Sequence, residues 1–352
     1  MSTIYDVAKL ADVSPKTVSR VLNGEPVVAE ETRARVLAAM KQLDYHPNAI
    51  AASLKRQRSN IIGFVVPYGS KFVFQDPNMM EQLRGVHDVV TQAGYDLLIS
   101  VPVNRKDALS ELLRLVRNKN VDGVILYPTA GVERIIKELD EKKFKYVTLE
   151  RYREDQQTNY VRINAVTGVY QATRYLLSQG HRRIGLINKP AAFFNYCCTE
   201  DSLVNGYAAA LEEAGIPVDQ VLIDTGDYTF EGGYQALRKI RKREPELTAV
   251  ICASDPMAYG AIRAAEELGM NVGRDFLVVA GDNLPLTRKL YPMLPALNNP
   301  SFEQGRYAGN MLLTLIREKR DLPGISLDAE FILPSESVVS EGRNSGRIGI
   351  SS

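Results

Sequence analysis

Pro15, Lys16, Ser19 and Arg20 fall at the spacing of one exposed helix face. Such a face carries a guanidinium fork that can bond guanine O6 and N7 together, a mobile ammonium group, and an apolar ring suited to a thymine methyl. Ser14, Thr17 and Ser19 add hydroxyls able to reach phosphate oxygens. Further along, polar and aromatic residues follow short apolar runs. They are Phe72, Phe74, Gln75 and Asp76 after IIGFVVP, Tyr127 after DGVIL, and Arg151 after VTLE. In the second half they are Asn188, Phe193, Phe194, Asp255, Asp282 and Asn299. In open α/β sheets ligands sit beyond the carboxyl ends of the strands. Aromatic rings there stack on sugar faces, while Asp, Asn and Arg bond paired hydroxyls. Each residue also has a plainer role. Asp76 and Asp255 both precede proline and suit helix caps, Arg151 suits a solvated loop, and the aromatics suit a core.

The elements that must position these groups can be read from periodicity. Thr3, with Asp6 three residues on, forms a capping-box pattern at the head of a first helix whose apolar stripe is Val7, Leu10 and Ala11. Asp12-Val13-Ser14 makes a turn. Ser14 caps a second helix with Pro15 at its first position, running to Asn23 and stopping at Gly24. Two short helices joined by a tight turn let the second enter a major groove; the same pair without DNA is a small packing module. Val13, Val18, Val21 and Leu22 form its expected core. A third helix, about Glu30 to Asp44, repeats Val36, Leu37, Met40 and Leu43 before Pro47 ends it. From Ile61 onward, apolar strands alternate with helices near 77–93, 107–118, 132–142, 165–179, 201–214, 229–243, 256–268 and 302–318. That alternation predicts parallel, doubly wound sheets, and the segment is long enough for two similar lobes with a cleft between them.

Composition narrows the class. The 352 residues are 45% hydrophobic and 24% charged, with a net charge of +1. The first 60 residues are mildly basic and the rest mildly acidic, a weak pointer to nucleic acid. Cys197, Cys198 and Cys252 form no disulfide framework, and His46, His87 and His181 have no metal-ligand spacing. No nucleophile–base pair, Walker loop or strand-linked G-x-G-x-x-G is present, so no catalytic residue, metal or cofactor is expected. The start MSTIYDVAKLADVS lacks the apolar stretch of a signal peptide, and no run of about 18 apolar residues could span a bilayer. The expectation is a reduced, cytoplasmic protein with no membrane partner.

The run T-I-Y-D-V-A (3–8), V-S (13–14) and T-V-S-R-V-L-N (17–23) resembles the lactose/galactose repressor (LacI/GalR) family. Tyr45-x-Pro47-Asn48, Ala51-x-x-Leu54 and Ile62-Gly63 resemble its hinge. Gly180 to Gly185, Ala253-x-Asp255 and Ala280 to Asn283 resemble motifs of its sensor domain. The resemblance covers essentially the whole chain. It implies a helix-turn-helix domain over 1–46, a hinge helix and linker over 47–60, and a periplasmic-binding-protein-like type I domain of two lobes over 61–340. A disordered tail follows at 341–352. It places Pro15, Lys16 and Arg20 at operator bases and adds Thr3, Asn23, Asn48 and Ala51 to the DNA-contacting set. Asn48–Lys55 is too short to be a stable helix alone and could fold when two copies meet on DNA. Leu54 then resembles the family's minor-groove wedge, although a linker leucine can equally pack on its own protein. Asp12 stands where the family usually has glycine. Leu203 stands where it usually has an effector-holding arginine, three residues before Gly206-Tyr207. That departure leaves the ligand class open.

The family resemblance implies a homodimeric repressor of carbohydrate-utilisation genes. It binds a near-palindromic operator and is released when a sugar or sugar phosphate repositions the lobes; an effector that instead favours the DNA-bound state remains open. The rival classes are a solute-binding protein and a sugar-processing enzyme on the same fold.

Overall fold

Asp12 adopts φ +52°, the left-handed conformation that the tight turn between the first two helices demands. The turn joins α1 (Ile4–Leu10) to α2 (Pro15–Leu22), and α3 (Glu30–Gln42) covers the pair. Here and below, the computed structural model describes residues 2–22, 25–45, 58–66, 76–101, 108–118, 120–128, 132–153, 155–189 and 202–334. The chain divides into two compact units, Met1–Asn60 and Ile61–Ser352.

In the first unit Thr3 caps α1. Its N–H donates to the Asp6 carboxylate at 2.8 Å and the Asp6 N–H returns to its hydroxyl. The core is Val7, Ala8, Ala11, Val18, Val21, Val36 and Ala39, with Val13, Leu22, Met40 and Leu43 packed against it. Two expected stripe residues are on the outside instead. Leu10 is 44% and Leu37 52% exposed. The helices are short and cross over small residues, so Ala8 and Ala39 take the contact and the larger side chains are turned out. The second helix is described to Leu22, so Asn23 and Gly24 lie outside the described residues.

The second unit is built from two lobes. Lobe one carries β1 (Ile61–Val65), α4 (Pro77–Gln92), β2 (Asp96–Ser100), α5 (Ala108–Arg117), β3 (Gly123–Leu126), α6 (Val132–Glu141), β4 (Lys145–Leu149) and β5 (Tyr160–Asn164). Lobe two carries α7 (Val166–Ser178), β6 (Ile184–Asn188), α8 (Ser202–Glu213), β7 (Ile223–Thr225), α9 (Phe230–Arg243), β8 (Ala249–Cys252), α10 (Asp255–Glu267), β9 (Leu277–Val279), α11 (Pro285–Leu290) and β10 (Ala296–Asn298). The chain then returns to lobe one as α12 (Ser301–Glu318) and β11 (Ile325–Asp328), and crosses back as β12 (Glu330–Ile332). The first sheet has the order β11-β5-β4-β3-β1-β2 and the second β7-β6-β8-β9. Every neighbouring pair in these two sheets is parallel. Near-continuous apolar strands such as GVIL and AVIC are buried throughout, as a parallel sheet covered on both faces requires.

Three crossings join the lobes, at Asn164–Val166, Asn298–Ser301 and Asp328–Glu330. They are tied to one another. β5 pairs with β11 and β10 pairs antiparallel with β12, while the Asn164 amide donates to Asp328 at 2.9 Å. The periodicity had not marked β5, α11, β10, β11 or β12. All are short, and β5 and β11 have largely half-exposed, polar-interrupted patterns. In lobe one α4 and α12 meet backbone to backbone. A Cβ on Gly85 would lie 2.1 Å from the Phe302 carbonyl, and one on Gly305 2.1 Å from the Gln82 carbonyl. This approach brings the polar heads of the two helices together at the cleft.

Candidate functional site

The reading helix is compact and pre-formed. Ser14 accepts the Thr17 N–H at 3.1 Å, and its hydroxyl lies 3.0 Å from that of Thr17. Ser14 and Thr17, two of the three expected phosphate-binding hydroxyls, therefore already fix the helix start, which makes them rigid partners. Val18 and Val21 face the core, so Pro15, Lys16, Ser19 and Arg20 lie on the opposite side. Lys16 is exposed. Arg20 is half exposed and sits 3.6 Å from Glu25. An exposed pair of this kind is worth about 0–1 kcal/mol, so Glu25 parks the guanidinium without locking it. Thr3 is engaged in its capping box, and its hydroxyl donates to Asp6 at 2.7 Å. Asn23, Asn48, Ala51 and Leu54 lie outside the described residues.

In the second unit, Tyr127 follows β3, Arg151 follows β4, Asn188 ends β6, and Asp282 follows β9, each at the carboxyl end of its strand. Asp76 caps α4, accepting the Asn78 N–H at 3.0 Å. Phe72, Phe74, Phe193 and Phe194 lie outside the described residues. Two hydrogen-bonded networks organise the rest. In lobe one the Tyr127 hydroxyl donates to Gln82, whose amide donates to Gln304 at 2.6 Å. The Gln304 amide donates to the Val161 carbonyl at 2.9 Å and to Glu150 at 3.4 Å. Glu150 also accepts the Ile163 N–H at 3.0 Å. Burial raises its carboxyl above the usual range, opposed by that N–H and by the charge of Lys189, the residue after Asn188 in lobe two.

The second network crosses between lobes. The Asn78 amide donates to Asp282 Oδ1. Asn299 donates to the same oxygen at 2.9 Å and to the Gly281 carbonyl at 2.9 Å. The Ser301 hydroxyl donates to the side-chain Oδ1 of Asn78 at 3.0 Å, and the Asp255 N–H donates to Asp282 Oδ2 at 2.9 Å. Asp282 and Asn299 are thus brought together with Asp76 nearby.

Asp255 is a correction. Expected at the ligand, it is fully buried, and its carboxylate accepts the N–H groups of Asp282 (2.7 Å), Asn283 (3.3 Å) and Leu284 (2.8 Å) together with the Thr287 hydroxyl. Its lone pairs hold the loop that carries Asp282. The helix cap beside it is Ser254, whose hydroxyl accepts the Met257 N–H. Leu203, where the family usually has arginine, is buried in the core of lobe two with Tyr207 and Leu211.

Gln82, Gln304, Asn78 and Glu150 were not singled out by sequence reasoning. A signal existed. Gln82 interrupts the apolar stripe Met79, Leu83, Val86, and Gln304 lies on the buried face of α12 with Gly305 and Ala308, where an amide needs a polar partner. Asn78 and Glu150 carry no such mark.

Burial pushes the Asp76 carboxyl up to about 6, against the N–H groups of Asn78 and Met79. Asp282 is pushed up to about 8, by burial first and the Asp255 carboxylate next; the Asn78 amide and Asp255 N–H pull the other way. A carboxyl held above its unfolded value keeps its proton longer in the folded chain, so its stabilising share is full at acid pH and is lost as pH rises. The melting temperature should therefore fall as pH rises from about 4 towards about 8, read by calorimetry, and the part of the fall above pH about 6, where Asp76 has already ionised, should shrink in Asp282→Asn. Carboxylates held below their usual range, such as Asp219 and Glu244 beside Arg183, titrate well below this window. An unchanged slope in the variant would remove Asp282 as the cause.

A helix-turn-helix head, and a two-lobed parallel α/β unit whose strand ends converge on a polar cleft, define a ligand-responsive DNA-binding regulator. The comparisons supply the particular family. Residues 3–48 match the profile "Bacterial regulatory proteins, lacI family", and residues 59–327 match "Periplasmic binding proteins and sugar binding domain of LacI family". The chain belongs to the LacI family and is a DNA-binding transcriptional repressor of that family. It is 36% identical to the HTH-type transcriptional repressor PurR of Photorhabdus laumondii over 324 residues, 91% of this chain and 92% of that protein. It is also 36% identical to PurR of Escherichia coli O1:K1 / APEC over 325 residues, 92% and 93% of the two chains. Among solved structures, the transcriptional regulator CelR–cellobiose complex aligns at TM-score 0.70 and 29% identity, covering 95% of this chain and 99% of that one. The lac repressor dimer bound to operator and the anti-inducer ONPF shares the fold, at TM-score 0.81 and 24% identity, covering 94% and 97%. Among the described residues no helix is long and apolar enough to cross a membrane, and no cluster of metal-ligating residues is found.

Proposed function

We propose that the chain works as a homodimer on a near-palindromic operator and leaves it when a small polyhydroxylated effector, a sugar or sugar phosphate, enters the cleft of the second unit. The observation that carries the reading is the contact between lobes in which Asn78 of α4 donates to Asp282 beside Asn299, one turn along α4 from the Gln82 that holds Tyr127. Paired amides and a carboxylate suit vicinal hydroxyls, and Arg151, at the carboxyl end of β4, suits a phosphate or carboxylate. The cellobiose held by CelR supports a saccharide over other small molecules. Pro15, Lys16 and Arg20 are assigned to bases and Ser14, Thr17 and Ser19 to phosphates, with Asn23, Asn48, Ala51 and Leu54 as further contacts by family likeness. Thr3, which also caps α1, is assigned to a DNA contact by the same likeness. Exposed Leu286, Leu290 and Met293 in and just after α11, at 55%, 59% and 51%, form an apolar patch that supports a second copy of the chain as partner.

The test is a thermal-shift screen of sugars and sugar phosphates, followed by gel shifts on operator DNA with and without each hit. A compound that raises the melting temperature and releases DNA supports the reading. A purified protein that binds no duplex at low ionic strength, or whose hits leave the DNA complex untouched, overturns it.

A further inference from the structure

We infer that Asn78 is a clasp built into the chain: its amide ties lobe one to lobe two across the cleft and holds the carboxylate oxygen that an effector must win. The inference rests on the effector reading above and deepens it. Asn78 lies in the first turn of α4, in lobe one; Asp282 follows β9, in lobe two, 204 residues further on. Lobe one fixes Asn78 twice. Asp76 accepts its backbone N–H at 3.0 Å, and Ser301, the first residue of α12, donates to its side-chain Oδ1 at 3.0 Å. The amide is thereby oriented, and the NH₂ end that remains points at Asp282 Oδ1.

On the other side Asp282 is only 4% exposed, and the chain's own groups satisfy it. Asn299 donates to Oδ1 at 2.9 Å and the Asp255 N–H to Oδ2 at 2.9 Å. A carboxylate can be withdrawn from water only if donors replace the water it loses. Asn78 is the donor that lobe one contributes. Its presence lets the lobes close over Asp282 with nothing supplied from outside the chain. Opening the cleft returns that oxygen to water.

This geometry also sets the chemistry of what can enter. A hydroxyl donates and accepts at once, so it can insert between Asn78 and Asp282, taking the amide hydrogen and giving its own to the carboxylate. A group that only accepts, such as an ether oxygen or a phosphate oxygen, satisfies Asn78 but does not replace for Asp282 the donor that lobe one supplied. Asn78 and Asp282 thus select the hydroxyl-bearing end of a ligand.

The test is an interlobe distance measured on the full chain by paired spin labels at pH about 9, where the Asp282 carboxyl has lost its proton, with no small molecule added and labelled chains diluted into unlabelled ones so that only distances within one chain are read. Exposed Lys137 in α6 and exposed Lys239 in α9 serve as label sites, Cys197→Ser and Cys198→Ser remove competing thiols, and buried Cys252 stays. The unaltered clasp is expected to give one narrow distance. Asn78→Ala should move the open-to-closed ratio by about ten- to a hundred-fold, as loss of a hydrogen bond to a charged group does, and so broaden or lengthen the distribution. Asn78→Asp should open the cleft too, because two carboxylates then face each other. The double exchange Asn78→Asp with Asp282→Asn reverses donor and acceptor but sets the new amide against Asn299, so it should narrow the distribution only part of the way back from Asn78→Asp. An unaltered distribution in Asn78→Ala, or in Asn78→Asp, overturns the clasp. Failure of every sugar and sugar phosphate to change melting or DNA binding would sink the effector reading while leaving these distances, and the clasp, standing.

Discussion

Arg20→Ala is expected to abolish sequence-specific operator shifts while leaving the effector-induced rise in melting temperature untouched. A bidentate arginine–guanine contact discriminates by about 1–3 kcal/mol, and a dimer on a palindrome makes it twice, so about 2–6 kcal/mol is at stake. That is a loss of roughly 30-fold to 10⁴-fold in specific affinity. Little is recovered elsewhere, because the contact Arg20 gives up on DNA is only the exposed 3.6 Å pair with Glu25. The residual binding should be phosphate-driven, indifferent to sequence and steeply salt-dependent. Lys16→Ala should behave differently if its ammonium meets phosphate, weakening all duplexes alike. Anisotropy titrations on operator and scrambled duplexes check both. Equal operator affinity with and without Arg20 would remove it from the recognition face. Loss of the thermal response as well would contradict the division of labour between the two compact units that part after Asn60.

The reading head was legible because each of its devices is local. A capping box needs Thr3 and Asp6, the turn needs one residue tolerant of positive φ, and Pro15 needs only a helix start. The alternation of the second unit was legible for the same reason, since a buried parallel strand shows as an unbroken apolar run. What failed were features set by distant parts of the chain. The crossing strands β10, β11 and β12 are three or four residues long and exist because each finds a partner far away in sequence. The cleft divided along the same line. Asp282 could be picked from its place after a strand, but its amide partner Asn78 could not, because nothing within α4 requires an amide there. Asp255 shows the opposite error. Its position after a strand resembles that of a ligand-binding carboxylate, and only the fold reveals that the loop 282–284 turns three N–H groups onto it.

Asp255→Ala should accordingly be a stability variant before it is a binding variant. The carboxylate is 0% exposed and answers three backbone N–H donors and the Thr287 hydroxyl. Truncation leaves those donors buried and unpaired, a loss of about 3–5 kcal/mol by analogy with broken buried charge networks. Against the 5–15 kcal/mol or so that typically separates folded from unfolded domains, that is a large fraction. Asp255→Asn keeps one acceptor oxygen but sets an amide N–H against other donors, so it should fall between the native protein and alanine. The asparagine variant carries a second, independent signature. The Asp255 charge is the largest contribution after burial to the raised carboxyl of Asp282. Removing it should let Asp282 titrate lower and flatten the decline of melting temperature between pH about 6 and about 8. Urea unfolding at several pH values reads both effects. A loss below about 1 kcal/mol in alanine would mean that water reaches the loop amides after all, and an unchanged pH slope in asparagine would mean that burial alone raises Asp282.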